Sequence, residues 1–421
     1  MDKFIINGGK RISGSVEVSG AKNASLALMP ATLLAPGKSS LINTPRLNDV
    51  YTMIKLLTHL GAEIEFNDHT LKIDTSNITD LTAPYEHVKK MRASVYVLGP
   101  LLARYGRAKV SLPGGCAWGP RPINLHLEAL EKMGAEINLI DGYIEAKAEK
   151  LKGAEIYFDV SSVGATGNIL MASVLAEGTT IINNASIEPE ITNLAEFLIN
   201  MGAKIEGIRT KTLVIEGVDA LSPSDTGTIP DRIEAGTLLI AAAVTKGNIV
   251  LENIDSGLLR AVVLKLESAG CKVNVLGNQI MLDASDMNLT PTDVSTSIFP
   301  GFPTDMQAQW TALMTLANGT SSIKDTIYYD RFKHVPELVR LGADINVVEN
   351  TAVVKGVKCL KGAKVMSTDL RASASLVLAG LAAEGTTEVL RVYHLDRGYQ
   401  RIEEKLQLLG AEIKRVSGKE Y

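Results

Sequence analysis

Lys22, Arg92, Arg121, Arg331 and Arg397 each fall in a short polar turn that leads into a predicted helix. A helix start carries unsatisfied N–H groups and partial positive charge, so carboxylates are the side chains it favours. One cation in such a turn reads as a surface side chain paired with a carboxylate. Five at matching places read as a means of gathering an anionic ligand. Asn23, beside Lys22, is expected to cap its helix as well as to touch that ligand. The segment Pro113 to Pro122, PGGCAWGPRP, holds three glycines and three prolines in ten positions, which excludes regular structure and predicts a lid-like loop. Cys116 on that loop is accessible and lies five residues before Arg121, surroundings that favour a reactive thiolate. Asp305 and Asp369 stand among the cations, with Arg371 close behind; either carboxylate can accept a proton from a substrate hydroxyl or cap a helix, and spacing does not choose between the two. His126, His334 and His394 are not grouped at metal-ligand spacing and no Cys/His cluster exists, so no metal site is expected. Neither GxxxxGK(S/T) nor a strand-linked GxGxxG occurs, so nucleotide-cofactor fingerprints are absent and no cofactor is expected.

An internal repeat must position these residues. A pentapeptide of the type Leu/Met-Gly-Ala-charged-aliphatic begins at Leu60, Met133, Met201, Leu341 and Leu409, with a diverged copy at Ala269, at intervals of 68 to 73 residues. A second glycine series, Gly37, Gly106, Gly178, Gly247, Gly319 and Gly385, keeps the same step and is expected to end apolar helices. Each unit reads as strand, apolar helix, strand, amphipathic helix and two strands, so the chain is six βαβαββ units. The first helix of each, such as Leu238 to Val244 or Ser373 to Ala383, is apolar nearly all round and must be enclosed by sheets. No polar capping repeats are visible, so two closed lobes of three units fit better than an open solenoid. The lobes are expected at 22–229, carrying the Cys116 loop, and at 1–21 with 230–421.

The 421 residues are about twice what one hydrophobic core serves, which agrees with two lobes. Lys plus Arg total 43 against 47 Asp plus Glu, so no global basic field exists to hold nucleic acid, and aromatic residues are too sparse at 5% for base stacking. Cys116, Cys271 and Cys359 form no CxxC; the last two lie in strand-like apolar surroundings and are expected to be structural, and the set indicates a reducing compartment, the cytoplasm. No apolar stretch approaches the roughly 20 residues of a bilayer span, so membrane insertion is not expected. Nothing suggests an obligate interface, and a monomer is expected.

The residues also carry a family resemblance. PGGCAWGPRP, GAKN at Lys22-Asn23, FPTDMQAQ from Phe302 to Gln309, RFKHVPEL from Arg331 to Leu338, TDLRASASLVLAG from Thr368 to Gly380 and HLDRGYQRIEEKL from His394 to Leu406 resemble the UDP-N-acetylglucosamine 1-carboxyvinyltransferases of the enolpyruvyl transferase family. The resemblance covers essentially the whole chain. It implies an α/β fold of two lobes, each of three βαβαββ units, arranged as an inside-out α/β barrel. It implies transfer of the enolpyruvyl group of phosphoenolpyruvate to the 3-hydroxyl of UDP-N-acetylglucosamine, the first committed step of peptidoglycan synthesis. Both substrates are polyanions, which gives the cations a purpose. By resemblance, Lys22, Asn23, Arg121 and Arg397 hold phosphoenolpyruvate. Arg92, Arg121, Pro122, Ile123, Asn124, Leu125, Ser162, Val163, Gly164, Asp305 and Ile327 hold the nucleotide sugar. Asp305 is the base for the 3-hydroxyl, Cys116 donates the proton to the enol carbon and is the thiol alkylated by fosfomycin, Lys22 and Arg397 act beside them, and Arg331, Asp369 and Arg371 support. Trp118 replaces the aliphatic residue common in the loop, and Val160 stands where some members are basic.

Two other readings compete. The shikimate-pathway enolpyruvyl transferase is similar to this fold, but the Cys116 loop and the Arg331 and Arg397 motifs argue against it. A non-catalytic UDP-sugar-binding paralogue is disfavoured because Lys22, Cys116, Asp305 and Arg397 are all present.

Overall fold

The structure, a computed structural model, describes residues 2–89, 91–112 and 123–417. Its backbone divides into two compact units, one formed by residues up to Ser19 together with those from Pro230 onward, the other by Gly20–Ile229. Each has its own core. Phe4, Leu239, Trp310 and Leu378 lie in the first, and Leu28, Met53, Leu170 and Phe197 in the second.

Six four-stranded sheets account for the strands among the described residues. In the Gly20–Ile229 unit they are built on Lys38–Ile42, Arg107–Ser111 and Thr179–Asn183; in the other unit on Asn248–Glu252, Thr320–Lys324 and Thr386–Leu390. Each of these central strands has a parallel neighbour on one side and an antiparallel one on the other. The parallel neighbour is reached through a buried helix in four sheets, as in Glu155–Tyr157, helix Val163–Ser173 and Thr179–Asn183. The remaining two exchange first strands: Ser13–Glu17 pairs with Asn248–Glu252, and Thr226–Gly227 with Lys38–Ile42. Strand Asp2–Asn7 lies between Thr386–Leu390 and Glu412–Ser417.

Alternation explains the strands. In Thr212–Glu216, Leu213 and Ile215 are buried while the flanking threonine and glutamate face out. Composition explains the enclosed helices. Arg232–Val244 is buried from Ile233 onward, and Leu370–Ala382 along nearly its whole length, because alanine, serine and glycine let neighbours approach on every side. The buried Ser375 hydroxyl is satisfied by the Ala372 carbonyl at 2.8 Å, so it adds no unpaired polar group.

The pentapeptide glycines all take positive φ, for example Gly61 at 113° where it ends helix Asn48–Leu60. The second series behaves differently from expectation. Gly106 does cap a helix, Leu98–Tyr105, but Val163–Ser173 ends at Val174 and Gly178 instead turns the chain into the next strand; Gly247 is not in the left-handed region, where Lys246 stands instead. Cys271 is buried, its thiol 3.3 Å from the Met287 sulfur. Cys359 departs from expectation: it is half-buried in a loop beside Lys361 and Glu384, not in an apolar strand. No helix among the described residues is long and apolar enough to cross a membrane.

Candidate functional site

In the Gly20–Ile229 unit, Lys22 is the first residue of helix Lys22–Ala31, and its ammonium lies 3.6 Å from the buried carboxylate of Asp49, in the first turn of helix Asn48–Leu60. Asn23 is exposed in the first turn and does not cap it: the cap position is Ala21, which makes no side-chain bond. Lysine at a bare helix start, with the helix's own N–H groups unmet by a cap, is an arrangement suited to an anion. Arg92 opens the 3-10 turn Arg92–Val97 and is half-buried.

Ser162, Val163 and Gly164 form the start of helix Val163–Ser173, where the Ser162 hydroxyl accepts from the Ala165 N–H at 3.3 Å. Against this start lies a residue that the spacing argument passed over. His126, in helix Asn124–Lys132, is buried, and a Cβ on Gly164 would sit 3.3 Å from its Cε1 and Nε2. The Asn168 amide fixes its tautomer: Oδ1 accepts from the Gly99 N–H at 2.7 Å, so Nδ2 faces His126 Nδ1 at 3.0 Å, and the imidazole hydrogen is assigned to Nε2 on the Gly164 side. Burial, and then the Arg92 guanidinium, push its pKa down to about 4, so the ring is neutral. Ile123 and Leu125 are half-buried and Asn124 is exposed at the start of the same helix, its amide donating to Glu128 at 3.1 Å. Cys116, Arg121 and Pro122, with Trp118 and the rest of their loop, lie outside the described residues. Val160 is 68% exposed.

The other unit brings Arg331 and Arg371 onto Asp305. This carboxylate, in the 3-10 turn Thr304–Met306, is held from both sides: Arg331 Nη2 lies 2.8 Å from Oδ1, and Arg371 Nη2 2.6 Å from Oδ2. Both guanidiniums are buried. Arg331 also donates to the Thr304 hydroxyl at 3.0 Å, which donates to Asp325 Oδ2 at 2.7 Å. Asp325 is fully buried, and its Oδ1 accepts from the Thr296 hydroxyl and from the N–H groups of Ile327 and Tyr328, so one carboxylate places both the Arg331 anchor and the Ile327 backbone. Nothing in the spacing singled out Asp325; an Asp two residues before a turn is a common signature with no chemistry in it.

Asp369 caps a helix: it starts helix Leu370–Ala382, and its Oδ1 accepts from the Arg371 and Ala372 N–H groups, each at 3.0 Å. Two cations are not where the turn argument put them. Arg397 closes the 3-10 turn Val392–Arg397 instead of opening a helix, and Arg331 precedes helix Val335–Arg340 by four residues. Arg331 is held by its carboxylate partner rather than by a helix start, and Arg397 is half-buried near His394, which also feels Asp369. Among the described residues no cluster of His, Cys, Asp or Glu is suited to a metal ion.

The geometry is therefore one of two sets of residues, Lys22 and Arg92 at helix or 3-10 starts in one unit and a carboxylate held by two guanidiniums in the other. The family model for EPSP synthase (3-phosphoshikimate 1-carboxyvinyltransferase) matches residues 6–406. The chain is 59% identical to the UDP-N-acetylglucosamine 1-carboxyvinyltransferase of Chloroherpeton thalassium, over 100% of this chain and 99% of that one, and 58% identical to the protein of the same name from Chlorobium limicola, over 100% of both. Among solved structures, the enolpyruvyl transferase NikO from Streptomyces tendae matches with a TM-score of 0.90 and 26% identity over 99% of each chain. EPSP synthase from Acinetobacter baumannii matches in fold, with a TM-score of 0.76 at 18% identity over 99% of this chain and 100% of that one. The chain thus belongs to the enolpyruvyl transferase family, and within it to the UDP-N-acetylglucosamine 1-carboxyvinyltransferases.

Proposed function

We propose that this enzyme transfers the enolpyruvyl group of phosphoenolpyruvate to the 3-hydroxyl of UDP-N-acetylglucosamine and releases phosphate, the first committed step of peptidoglycan synthesis. The observation that carries the choice of acceptor is the 58–59% identity, end to end, with proteins that bear that activity in their names. The shikimate reading rests on a family model shared by both activities and on a solved structure only 18% identical.

In this reading Lys22, Asn23, Arg121 and Arg397 hold phosphoenolpyruvate. Arg92, the Arg121 to Leu125 segment and the Ser162 to Gly164 helix start hold the nucleotide sugar, with Asp305 and Ile327 at the sugar. The 3-hydroxyl oxygen bonds to the central carbon of phosphoenolpyruvate while Asp305 accepts its proton and Cys116 donates one to the methylene carbon. The C–O bond to phosphate then breaks as the methyl group returns a proton, restoring the double bond. Addition develops positive charge on the central carbon, which a nearby carboxylate stabilises. The chain works as two lobes, 22–229 and 1–21 with 230–421, each a three-fold set of βαβαββ repeats in an inside-out α/β barrel. The enzyme works as a monomer in the cytoplasm. The test is phosphate release from the purified protein with both substrates, abolished by fosfomycin through Cys116. Release with shikimate 3-phosphate in place of the nucleotide sugar, and none with the sugar, would overturn the reading.

A further inference from the structure

Arg371 is 4% exposed, and its guanidinium has two side-chain hydrogen-bond partners among the described residues. Nη2 donates to Asp305 Oδ2 at 2.6 Å and Nη1 to the Tyr399 hydroxyl at 3.2 Å, with the tyrosine ring centroid 5.5 Å from the guanidinium carbon. Nε is buried with no partner among those residues. One anchor is the carboxylate proposed to meet the sugar hydroxyl, so the other sets the angle of the guanidinium about it.

That second anchor is itself tightly held. Tyr399 is 1% exposed, and Gln309 Nε2 lies 3.1 Å from its hydroxyl while also donating to the Asp305 carbonyl at 2.9 Å. Thr237 Oγ1 lies 2.9 Å from the same hydroxyl. Thr237 gives its own hydrogen to the Ile233 carbonyl at 2.7 Å, which leaves the phenol hydrogen for Thr237 Oγ1 and the phenol lone pairs for Gln309 and Arg371. Gly398 lets the loop deliver the ring: an added Cβ would lie 2.5 Å from Leu370 Cδ2, at the start of the helix that carries Arg371. The charged groups acting on the pair are Asp305 and Asp231, with Arg331 on the other carboxylate oxygen of Asp305. Burial raises the phenol pKa, with Arg371 opposing it, so Tyr399 stays a neutral hydroxyl.

We infer that Tyr399 is a positioning residue of the transfer reaction, whose hydroxyl holds the Arg371 guanidinium at the angle that aims Asp305 at the substrate hydroxyl. The inference rests on the role of Asp305 proposed above. Tyr399→Phe keeps the ring and its buried volume while removing the acceptor. It should lower kcat about 10- to 100-fold, the scale of a misplaced reacting group, with KM for both substrates within about threefold. The acid limb of kcat should move to higher pH, because the Arg371 guanidinium is no longer fixed at its close approach to Asp305. Thr237→Val should shift both readouts the same way by less, and Thr237→Ser, which keeps the hydroxyl, should restore them; this pair carries the test if the phenylalanine variant does not fold. A Tyr399→Phe enzyme that melts earlier but keeps its kcat and acid limb overturns the inference. Asp305→Asn, run alongside, separates the two claims. If it turns over normally, the role of Asp305 fails and takes this inference with it; if it is inactive while Tyr399→Phe is normal, the positioning role alone fails.

Discussion

Replacing Asp305 with alanine removes more than a proton acceptor. The carboxylate neutralises Arg371 at 2.6 Å and Arg331 at 2.8 Å, and the two guanidinium side chains are only 5% and 9% exposed. Arg371 does not escape by losing its proton: in the parent, burial pulls its pKa down while Asp305, then Tyr399 and Asp231, push it up, and without Asp305 the intrinsic basicity of a guanidinium still keeps it protonated. The alanine variant therefore keeps a charged guanidinium in the interior, with Asp231 as a remaining carboxylate whose charge acts on it. Removing one partner of a buried ion pair costs about 3 to 5 kcal/mol. Because Asp305 is itself 26% exposed and Asp231 still attracts Arg371, the loss should sit at the lower end, about 3 kcal/mol. For a unit of this size that is a melting point lower by roughly 6 to 12 °C. Adding Arg371→Met removes the more buried of the two stranded charges and keeps the apolar stem, so the double variant should recover at least half of the loss. Urea unfolding followed by circular dichroism reads both. An alanine variant within about 0.5 kcal/mol of the parent, or a double variant no more stable than the single one, would refute the reasoning. For kinetics, Asp305→Asn is the cleaner substitution, since the amide keeps the shape and an acceptor oxygen against the two arginines.

Acid should weaken the fold through two imidazoles. Burial first, and then Arg92 or Arg331, push His126 to about 4 and His334 to about 3. Unfolded histidines near 6.5 bind protons that the folded ones refuse, so stability is full above about pH 6.5 and falls as pH drops toward 4, by up to about 1.4 kcal/mol per pH unit for each histidine. His334→Asn should flatten that slope in urea titrations between about pH 6.5 and 4.5, and an unchanged slope would count against it. Asp369→Ala should cost about 1 kcal/mol as a lost cap, and Asp369→Ser should recover the stability. Turnover should stay low in the serine variant, since the carboxylate charge is gone; full recovery of turnover would reduce Asp369 to a cap. Ser162→Ala should raise KM for the nucleotide sugar about 3- to 10-fold, the worth of one hydrogen bond, and leave KM for phosphoenolpyruvate unchanged; equal effects on both would remove Ser162 from the sugar site.

The parts of this molecule that were readable from the sequence are those decided by one local property. A pentapeptide glycine such as Gly61 is the residue that adopts φ of 113° without strain, so its recurrence announces a turn wherever it falls. Helix Leu370–Ala382 is small and apolar on all sides, so its enclosure follows from composition. The candidate site is read less well, for a physical reason. A cation in a turn was assigned to the helix that follows, and this holds for Lys22, whose helix begins at that residue. It fails for Arg331, because a long side chain pairs with whichever carboxylate the tertiary fold brings within about 3 Å, and that carboxylate, Asp305, belongs to another segment. Tyr399, Asp325 and His126 receive no role from spacing for the same reason carried further. Each has partners that lie far from it in sequence: Arg371, Gln309 and Thr237 for the first; Thr304 and Thr296 for the second; Asn168 and Gly164, on one helix, for the third. Periodicity places such a residue in the interior and stops there, since burial of an Asp, Tyr or His costs free energy until its partners are supplied. A buried polar residue at a position where the pattern asks for an apolar one is thus the sequence signal that a network exists, although its members become known only when the segments meet.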